Sequence, residues 1–349
     1  MKVKNQIYAL IDYKGHFGSK SDSKFYRSGM DINQLKKYFK ERCYELNVLK
    51  FNEVDFRRNV WKNQNIIYTA QEDPDYYYKN YIEDIVYALE LAGANVIPKY
   101  KFLLADNNKV FEELMRDISG ADFIKNIRSF HFGSFEDYRD NNFKLRQKMV
   151  FKKAAGAVSR GVFLVKDEAE GLRIAKRISK TPFHNDNLKD IIRPFIHKGY
   201  LVNSRNRRKF IVQNFVNGLE NDWKILAFGN KFIIEYRGVR DNDFRASGSH
   251  KFLFDEDIQN IIPDGIFEYA EKIRDLFDTP HLSLDIGCIN NEFYLFEFQA
   301  LYFSSYAARM SKTYFIKKDG IFVRMEGNLC LEQLYVDSII DYIEMEDKY

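Results

Sequence analysis

The stretch "LSLDIGCINNEFYLFEFQA" (residues 282–300) holds two apolar runs separated by Asn290-Asn291, and it sets Asp285, Glu297 and Gln299 inside those runs. Its alternation predicts a β-hairpin with at least one buried face. A carboxylate there costs roughly several kcal/mol unless a positive partner neutralises it. Strand periodicity puts Glu297 and Gln299 on one face, together with Phe293 and Leu295. The place of Asp285 depends on the turn. A two-residue loop, Asn290-Asn291, pairs Ile289 with Glu292 and sets Asp285 opposite Phe296; a three-residue loop, Asn290-Asn291-Glu292, sets Asp285 opposite Glu297. In the second register the two carboxylates and the Gln299 amide form a set of hard oxygen donors that suits Mg²⁺ rather than zinc. A buried, hydrogen-bonded acidic pair is the competing reading of this hairpin taken alone.

Around the hairpin lies a chain of 349 residues, enough for two or three domains. With 45% hydrophobic and 30% charged residues it is globular in composition rather than disordered. A formal charge of +4, evenly spread, does not imply a nucleic-acid partner, and the run Arg205-Asn206-Arg207-Arg208-Lys209 reads as a solvated loop. Cys43, Cys288 and Cys330 lie far apart with no CxxC pair, which argues against a disulfide framework or structural zinc and fits a reducing compartment. The apolar run in "MKVKNQIYALIDYKG" meets Asp12 too soon for a signal peptide or membrane span, so a cytoplasmic protein is expected.

Residues 6–11 are expected as an opening strand, followed by a polar loop with Lys14, His16, Lys20, Lys24 and Arg27. Helical spacing runs from Asp31 to Leu46, strands are expected at 48–54 and 65–70, and a helix over 79–93 ends at Gly93 before a strand at 95–100. That alternation implies a small parallel α/β unit. A helix over 106–117 capped by Asp106, strands at 148–154 and 161–167, and a helix over 167–179 come next. Residues 180–208 read as polar and irregular, an insertion or mobile connection. From 209 consecutive strands follow, at 209–216, 222–229 and 231–239; helices are expected at 265–277 and 329–345.

Two further stretches carry chemistry. "MVFKKAAGAVSRGVFLV" (149–165) places Lys152 at a strand end before Gly156, Ser159 and Gly161, where backbone amides and an ammonium can face a polyphosphate. It is not a Walker A loop, and an ordinary hairpin with an exposed lysine explains it equally well. In "FIVQNFVNGLENDWKILAFGNKFIIEYRGVRDNDFRASG" (210–248), alternation sets Lys224 opposite the face of Trp223, Ile225 and Ala227, while Arg237 ends its strand and Arg245 follows in a loop. These three cations could converge on phosphate oxygens or an oxyanion. Taken singly, each reads as edge-strand charge.

The order of these pieces resembles the ATP-grasp superfamily over roughly residues 105–300, and "QNFVNGLENDWKILAFGNKFIIEYRG" (213–238) is similar to the branch that includes ribosomal-protein glutamate ligases. The resemblance implies an α/β (α+β) fold with an N-terminal α/β domain (1–105), a central lid subdomain (106–208) and a C-terminal antiparallel-sheet subdomain with a metal site (209–349). It implies that Lys109, within "ADNNKVF", and Lys152 contact ATP phosphates while the loop 156–161 closes over them. Gln213, Phe215 and Val216 would lie in the hinge segment beside adenine, and Glu220 or Asp222 near the ribose. Lys224 would bind phosphate, Arg237 would steady an acylphosphate and tetrahedral intermediate, and Asp285, Glu297 and Gln299 would hold one or two Mg²⁺ ions. Gln299 stands where the family usually has Asn, Lys153 replaces a proline, and Gln213-Asn214 replaces a common acidic residue.

The implied activity is ATP- and Mg²⁺-dependent ligation of a carboxylate to an amine through an acylphosphate, giving amide, ADP and phosphate. The substrates would be small molecules, with Arg245, Ser247 and the N-terminal cationic loop as candidates for the carboxylate, and a homodimer as the default assembly. His16 and His131 are weaker acid–base candidates. The alternatives are a phosphotransferase of the same fold and a nucleotide-binding module without catalysis.

Overall fold

The computed structural model of the chain describes residues 5–346 apart from 21, 25, 26, 59, 72, 142, 157, 158, 160, 184 and 185. The chain forms two units, one built from residues 1–106 and 219–349, the other from 107–218.

The first unit opens with β1 (Asn5–Ile11), α1 (Ile32–Glu41), β2 (Tyr44–Lys50), β3 (Asn65–Tyr68), α2 (Tyr77–Leu91), β4 (Asn95–Ile97) and α3 (Tyr100–Ala105). The four strands form a parallel sheet in the order β2-β1-β3-β4, as the strand–helix alternation predicts. Asp31 caps α1 by accepting from the amides of Asn33 and Gln34. The helix stops at Glu41 rather than Leu46. Cys43 takes a left-handed φ of 63°, and Tyr44 and Leu46 then alternate into the core as strand residues beside β1. The sequence gives no sign of α3. Asp106, expected as a helix cap, follows α3 instead and accepts from the Tyr302 amide at 3.4 Å.

The second unit contains α4 (Lys109–Ile118), β5 (Ser129–Phe132), α5 (Phe135–Asp140), β6 (Met149–Lys153), β7 (Val162–Val165), α6 (Glu168–Ile178), α7 (Asp186–Ile196) and β8 (Phe210–Asn214). Its sheet is antiparallel in the order β5-β8-β6-β7. Met149, Phe151, Phe210 and Val212 on one face pack with Tyr138 of α5 and Ile174 and Ile178 of α6. Asn108 caps α4, and the stretch expected to be irregular contains α7.

The first unit resumes with β9 (Asn221–Phe228), β10 (Lys231–Gly238), β11 (Phe252–Leu253), α8 (Ile266–Phe277), β12 (His281–Ile289), β13 (Glu292–Gln299), α9 (Tyr306–Met310), β14 (Thr313–Lys318), β15 (Ile321–Glu326) and α10 (Leu331–Glu346). The strands follow the order β13-β12-β9-β10-β14-β15, with β11 beside β10. Leu226, Phe228 and Ile233 on one face join a core with Val336, Ile339 and Ile340 of α10 and Ile7 and Ala9 of β1. On the other face Phe277 of α8 stacks on Phe298 with ring centroids 4.3 Å apart. Among the described residues no helix is long and apolar enough to cross a membrane.

Candidate active site

The turn of the decisive hairpin has two residues, and Asn290 and Asn291 both adopt positive φ (50° and 62°), as a type I′ turn requires. Ile289 accordingly pairs with Glu292. Yet Asp285 faces Glu297. A β-bulge between Asp285 and Ile286 lets Ile286 pair with Leu295 and Asp285 with Glu297, so Phe296 is the extra residue. The turn is thus that of the two-residue alternative, while the bulge supplies the Asp285–Glu297 pairing that the three-residue alternative would have given. The bulge also moves Phe293 and Leu295 to the α8 face, away from Glu297, and Phe293 stacks on Tyr269 at 5.0 Å. Gly287 makes room for the bulged Phe296: a Cβ there would lie 2.6 Å and 2.7 Å from atoms of its ring.

Across the sheet the register sets Glu235 opposite Lys224, Lys224 opposite Asp285, and Asp285 opposite Glu297, one residue from each of four strands. One pair further along, Arg237 faces Asp222. Period-2 alternation brings all six side chains to the face that packs on α10. Lys224 Nζ donates to Asp285 Oδ1 at 3.2 Å, Arg237 Nη2 lies 2.8 Å from Asp285 Oδ2, and Arg237 Nε donates to Asp222 Oδ1 at 2.5 Å.

Burial alone would raise the Asp285 carboxyl. The Arg237 guanidinium and Lys224 ammonium overcome it and hold that group well below the usual carboxylate range. Burial likewise works to lower Arg237, but Asp222 and Asp285 keep it charged and raise it. For Asp222 burial wins over Arg237 and pushes its carboxyl to about 6, and for Glu235 burial lifts the carboxyl to about 7. The cluster thus fixes two cations and an ionised Asp285 beside groups poised to hold a proton.

Gln299 pairs with Ser283, whose Oγ is buried and has no hydrogen-bond partner. Asp285, Glu297, Gln299 and this Oγ are hard oxygens of the kind Mg²⁺ takes, on one sheet face, with both Asp285 oxygens already met by Lys224 and Arg237. Among the described residues no group of three or more His, Cys, Asp or Glu side chains is disposed around a metal. Phosphate oxygens or water would have to complete a shell.

Arg245 is held by Asp243 in its own loop, Nε donating to Oδ2 at 2.8 Å, and the Ser247 carbonyl accepts from Arg240 at 2.7 Å. Asp222 is committed to Arg237, whereas Glu220 is exposed. In the N-terminal loop Asp12 accepts from the amides of Lys14 and His16 at 2.9 Å and 2.8 Å, and Lys20 pairs with the buried Glu332 at 2.7 Å.

In the second unit the Lys109 amide donates to the Ala154 carbonyl at 2.9 Å, its Nζ lies 3.5 Å from the Gly156 carbonyl oxygen, and the Gly156 amide donates to Asn107 Oδ1 at 2.8 Å. The glycine loop is thereby tied to the start of α4, where helix amides favour anions. Residues 157, 158 and 160 of the expected loop lie outside the described residues; Ser159 and Gly161 have φ of 55° and 94°. Register puts Lys152 on one face with Val150, Ile211 and Gln213, while Lys153 lies on the Phe151 face against Gly161. Gln213 Nε2 donates to Glu113 Oε1 at 2.8 Å, and Glu113 pairs with the buried Arg116 at 3.4 Å. Phe215 offers its amide to the Lys148 carbonyl at a long 3.4 Å, and Val216 follows.

Sequence reasoning missed Glu235, the Asp222–Arg237 pair, Gly287, and the Gln213–Glu113–Arg116 chain. The first pair of signals was present in Asp222-x-Lys224 and Glu235-x-Arg237, two i, i+2 patterns on adjacent strands. Arg116 carries no such signal.

No family model matches the sequence, and no curated protein matches it. Solved structures do. The D-cycloserine synthetase DcsG superposes with a TM-score of 0.51 at 9% identity, over 97% of this chain and 99% of that one. The ATP-grasp ligase PsnB, solved with minimal precursor, Mg and ADP, gives a TM-score of 0.50 at 12% identity, over 96% of each chain. At such low identity the likeness shows the fold alone: an α/β fold that matches the ATP-grasp architecture with its several subdomains.

Proposed function

We propose that the chain is an ATP-dependent ligase that joins a carboxylate to an amine through an acylphosphate, releasing ADP and phosphate. The observation that carries this reading is the row Glu235–Lys224–Asp285–Glu297 with Arg237 beside it, two fixed cations and opposed carboxylates within one sheet face of this fold. The substrates would be a small-molecule carboxylate and amine, such as an amino acid, peptide or sugar derivative.

In this reaction a carboxylate oxygen of the substrate attacks the γ-phosphorus of ATP, and the bond to the bridging oxygen of ADP breaks. The amine nitrogen then attacks the acyl carbon, the carbon–oxygen bond to phosphate breaks, and the proton on nitrogen leaves to solvent. Lys224 and Arg237 stabilise charge on the transferring phosphoryl group and the tetrahedral intermediate, and their ion pairs with Asp285 and Asp222 hold them in place beforehand. Arg245 with Ser247 orients the substrate carboxylate. Lys109, Lys152 and the amides of Gly156, Ser159 and Gly161 hold nucleotide phosphates, Gln213, Phe215 and Val216 border the adenine, and Glu220 takes a ribose hydroxyl while Asp222 serves Arg237. Asp285, Glu297 and Gln299 would hold Mg²⁺, which when bound neutralises phosphate charge.

The test is product analysis with ATP, Mg²⁺ and libraries of carboxylates and amines. ADP with a new amide supports the ligase; a phosphorylated substrate with no amide assigns a phosphotransferase instead.

A further inference from the structure

Helix α7 leaves its apolar face uncovered. Leu188, Ile191, Ile192, Phe195 and Ile196 follow the i, i+3, i+4, i+7, i+8 spacing of an apolar helix face, and every one of them is exposed. Elsewhere on the helix Asp190 is buried under its own segment, accepting from Arg193 Nη1 at 2.9 Å and from the Tyr200 hydroxyl at 2.6 Å. Leu201 and Val202, just after the helix, extend the apolar surface. A contiguous exposed patch of this kind marks a contact that the isolated chain does not make.

Two observations identify the occupant. Phe195 and Leu201 are 87% and 88% exposed, so they project as knobs rather than line a groove, and a projecting apolar side chain is accommodated by a fluid interface without a shaped partner. Residues 180–209 carry eight Lys or Arg against two Asp, including the exposed Lys198, Arg205 and Arg207. That excess of positive charge complements a negatively charged surface. We propose that α7 with Leu201-Val202 docks on an anionic lipid bilayer, Phe195 and Leu201 entering the acyl boundary while Lys198, Arg205 and Arg207 meet the headgroup phosphates. Neither apolar insertion nor charge alone anchors firmly, so both are required.

Sedimentation of the 349-residue chain with vesicles tests this directly. Vesicles of phosphatidylcholine containing about one third phosphatidylserine should carry the protein down at low salt, pure phosphatidylcholine should not, and binding should fall roughly tenfold in about 0.5 M salt. Phe195→Asp with Leu201→Asp, and separately Lys198→Ser with Arg205→Ser and Arg207→Ser, should each lose about tenfold or more while keeping the thermal midpoint. The two variants remove different physical contributions, so misfolding of one leaves the other as the test. Wild-type protein that stays in solution with both vesicle types overturns the proposal. So does binding that survives Phe195→Asp with Leu201→Asp, a concentration-dependent dimer that this variant dissolves, or saturable binding of an acidic peptide in place of vesicles.

Discussion

Asp285 and Glu297 stand directly opposite each other on β12 and β13, although the turn joining those strands has only two residues. The bulge at Phe296 restores that register, and its ring fills the space beside Gly287. Opposed carboxylates on one face repel. Lys224 and Arg237 offset that repulsion on the Asp285 side.

Gly287→Val drives a side chain into the Phe296 ring and should destabilise the protein by about 1–3 kcal/mol. It should also sharply lower magnesium-dependent turnover, because the bulge is what sets Asp285 against Glu297. Urea unfolding and a turnover assay on the same sample check this. Unchanged stability with unchanged turnover would show that the bulge does not depend on the glycine.

Removing Arg237 leaves Asp222 and Asp285 buried without their shared cation. Arg237→Met should therefore cost about 3–5 kcal/mol, and Asp222→Asn in the same chain should recover part of the loss. Strict additivity of the two substitutions would contradict the coupling.

Burial raises Glu235 from 4.5 to about 7 and Asp222 from 3.8 to about 6, so both hold a proton to higher pH in the folded state than in the unfolded chain. Their stabilising contribution is full below the ordinary carboxylate range and is lost as pH rises through those folded values. Asp285 has the opposite sign: its contribution is present above the ordinary range and disappears only in strong acid. Nucleotide-free, metal-free protein should accordingly lose stability between about pH 5 and pH 8, and Glu235→Gln should remove roughly 1–3 kcal/mol of that dependence. Parallel urea midpoints for wild type and variant at the two pH values would refute the assignment.

Lys152 and Lys153 point to opposite faces of β6, the first sharing its face with Gln213. Lys152→Ala should weaken ATP binding about tenfold, some 1.4 kcal/mol, while Lys153→Ala stays within about twofold. Titration calorimetry with ATP separates them, and the reverse ranking would transfer the phosphate role to Lys153.

How much of this was legible beforehand depends on the range of the forces involved. Local periodicity revealed the parallel N-terminal unit, the strand triplet and the facing of Lys224, because alternation records which side chains are buried. The position of Asp285 was not settled, since turn length and a bulge give the same register by different routes, and the bulge depends on Gly287 meeting a ring on the neighbouring strand. Arg116 escaped for a related reason: a charged residue signals burial only through partners distant in sequence, whereas Glu235 stood in an i, i+2 pattern with Arg237 that went unread. Helix α7 was missed because its apolar spacing is embedded among Lys, Asp, Arg and Pro residues in a stretch with polar flanks.

The central claim is the acylphosphate, and oxygen tracing tests it most directly. With both oxygens of the carboxylate substrate labelled with ¹⁸O, the account predicts that each amide formed is matched by one phosphate carrying a single ¹⁸O. The carboxylate oxygen that attacks phosphorus leaves with it when the amine displaces it. Amide formed with unlabelled phosphate, or labelled carboxylate returned unchanged while phosphate appears on another group, would contradict it.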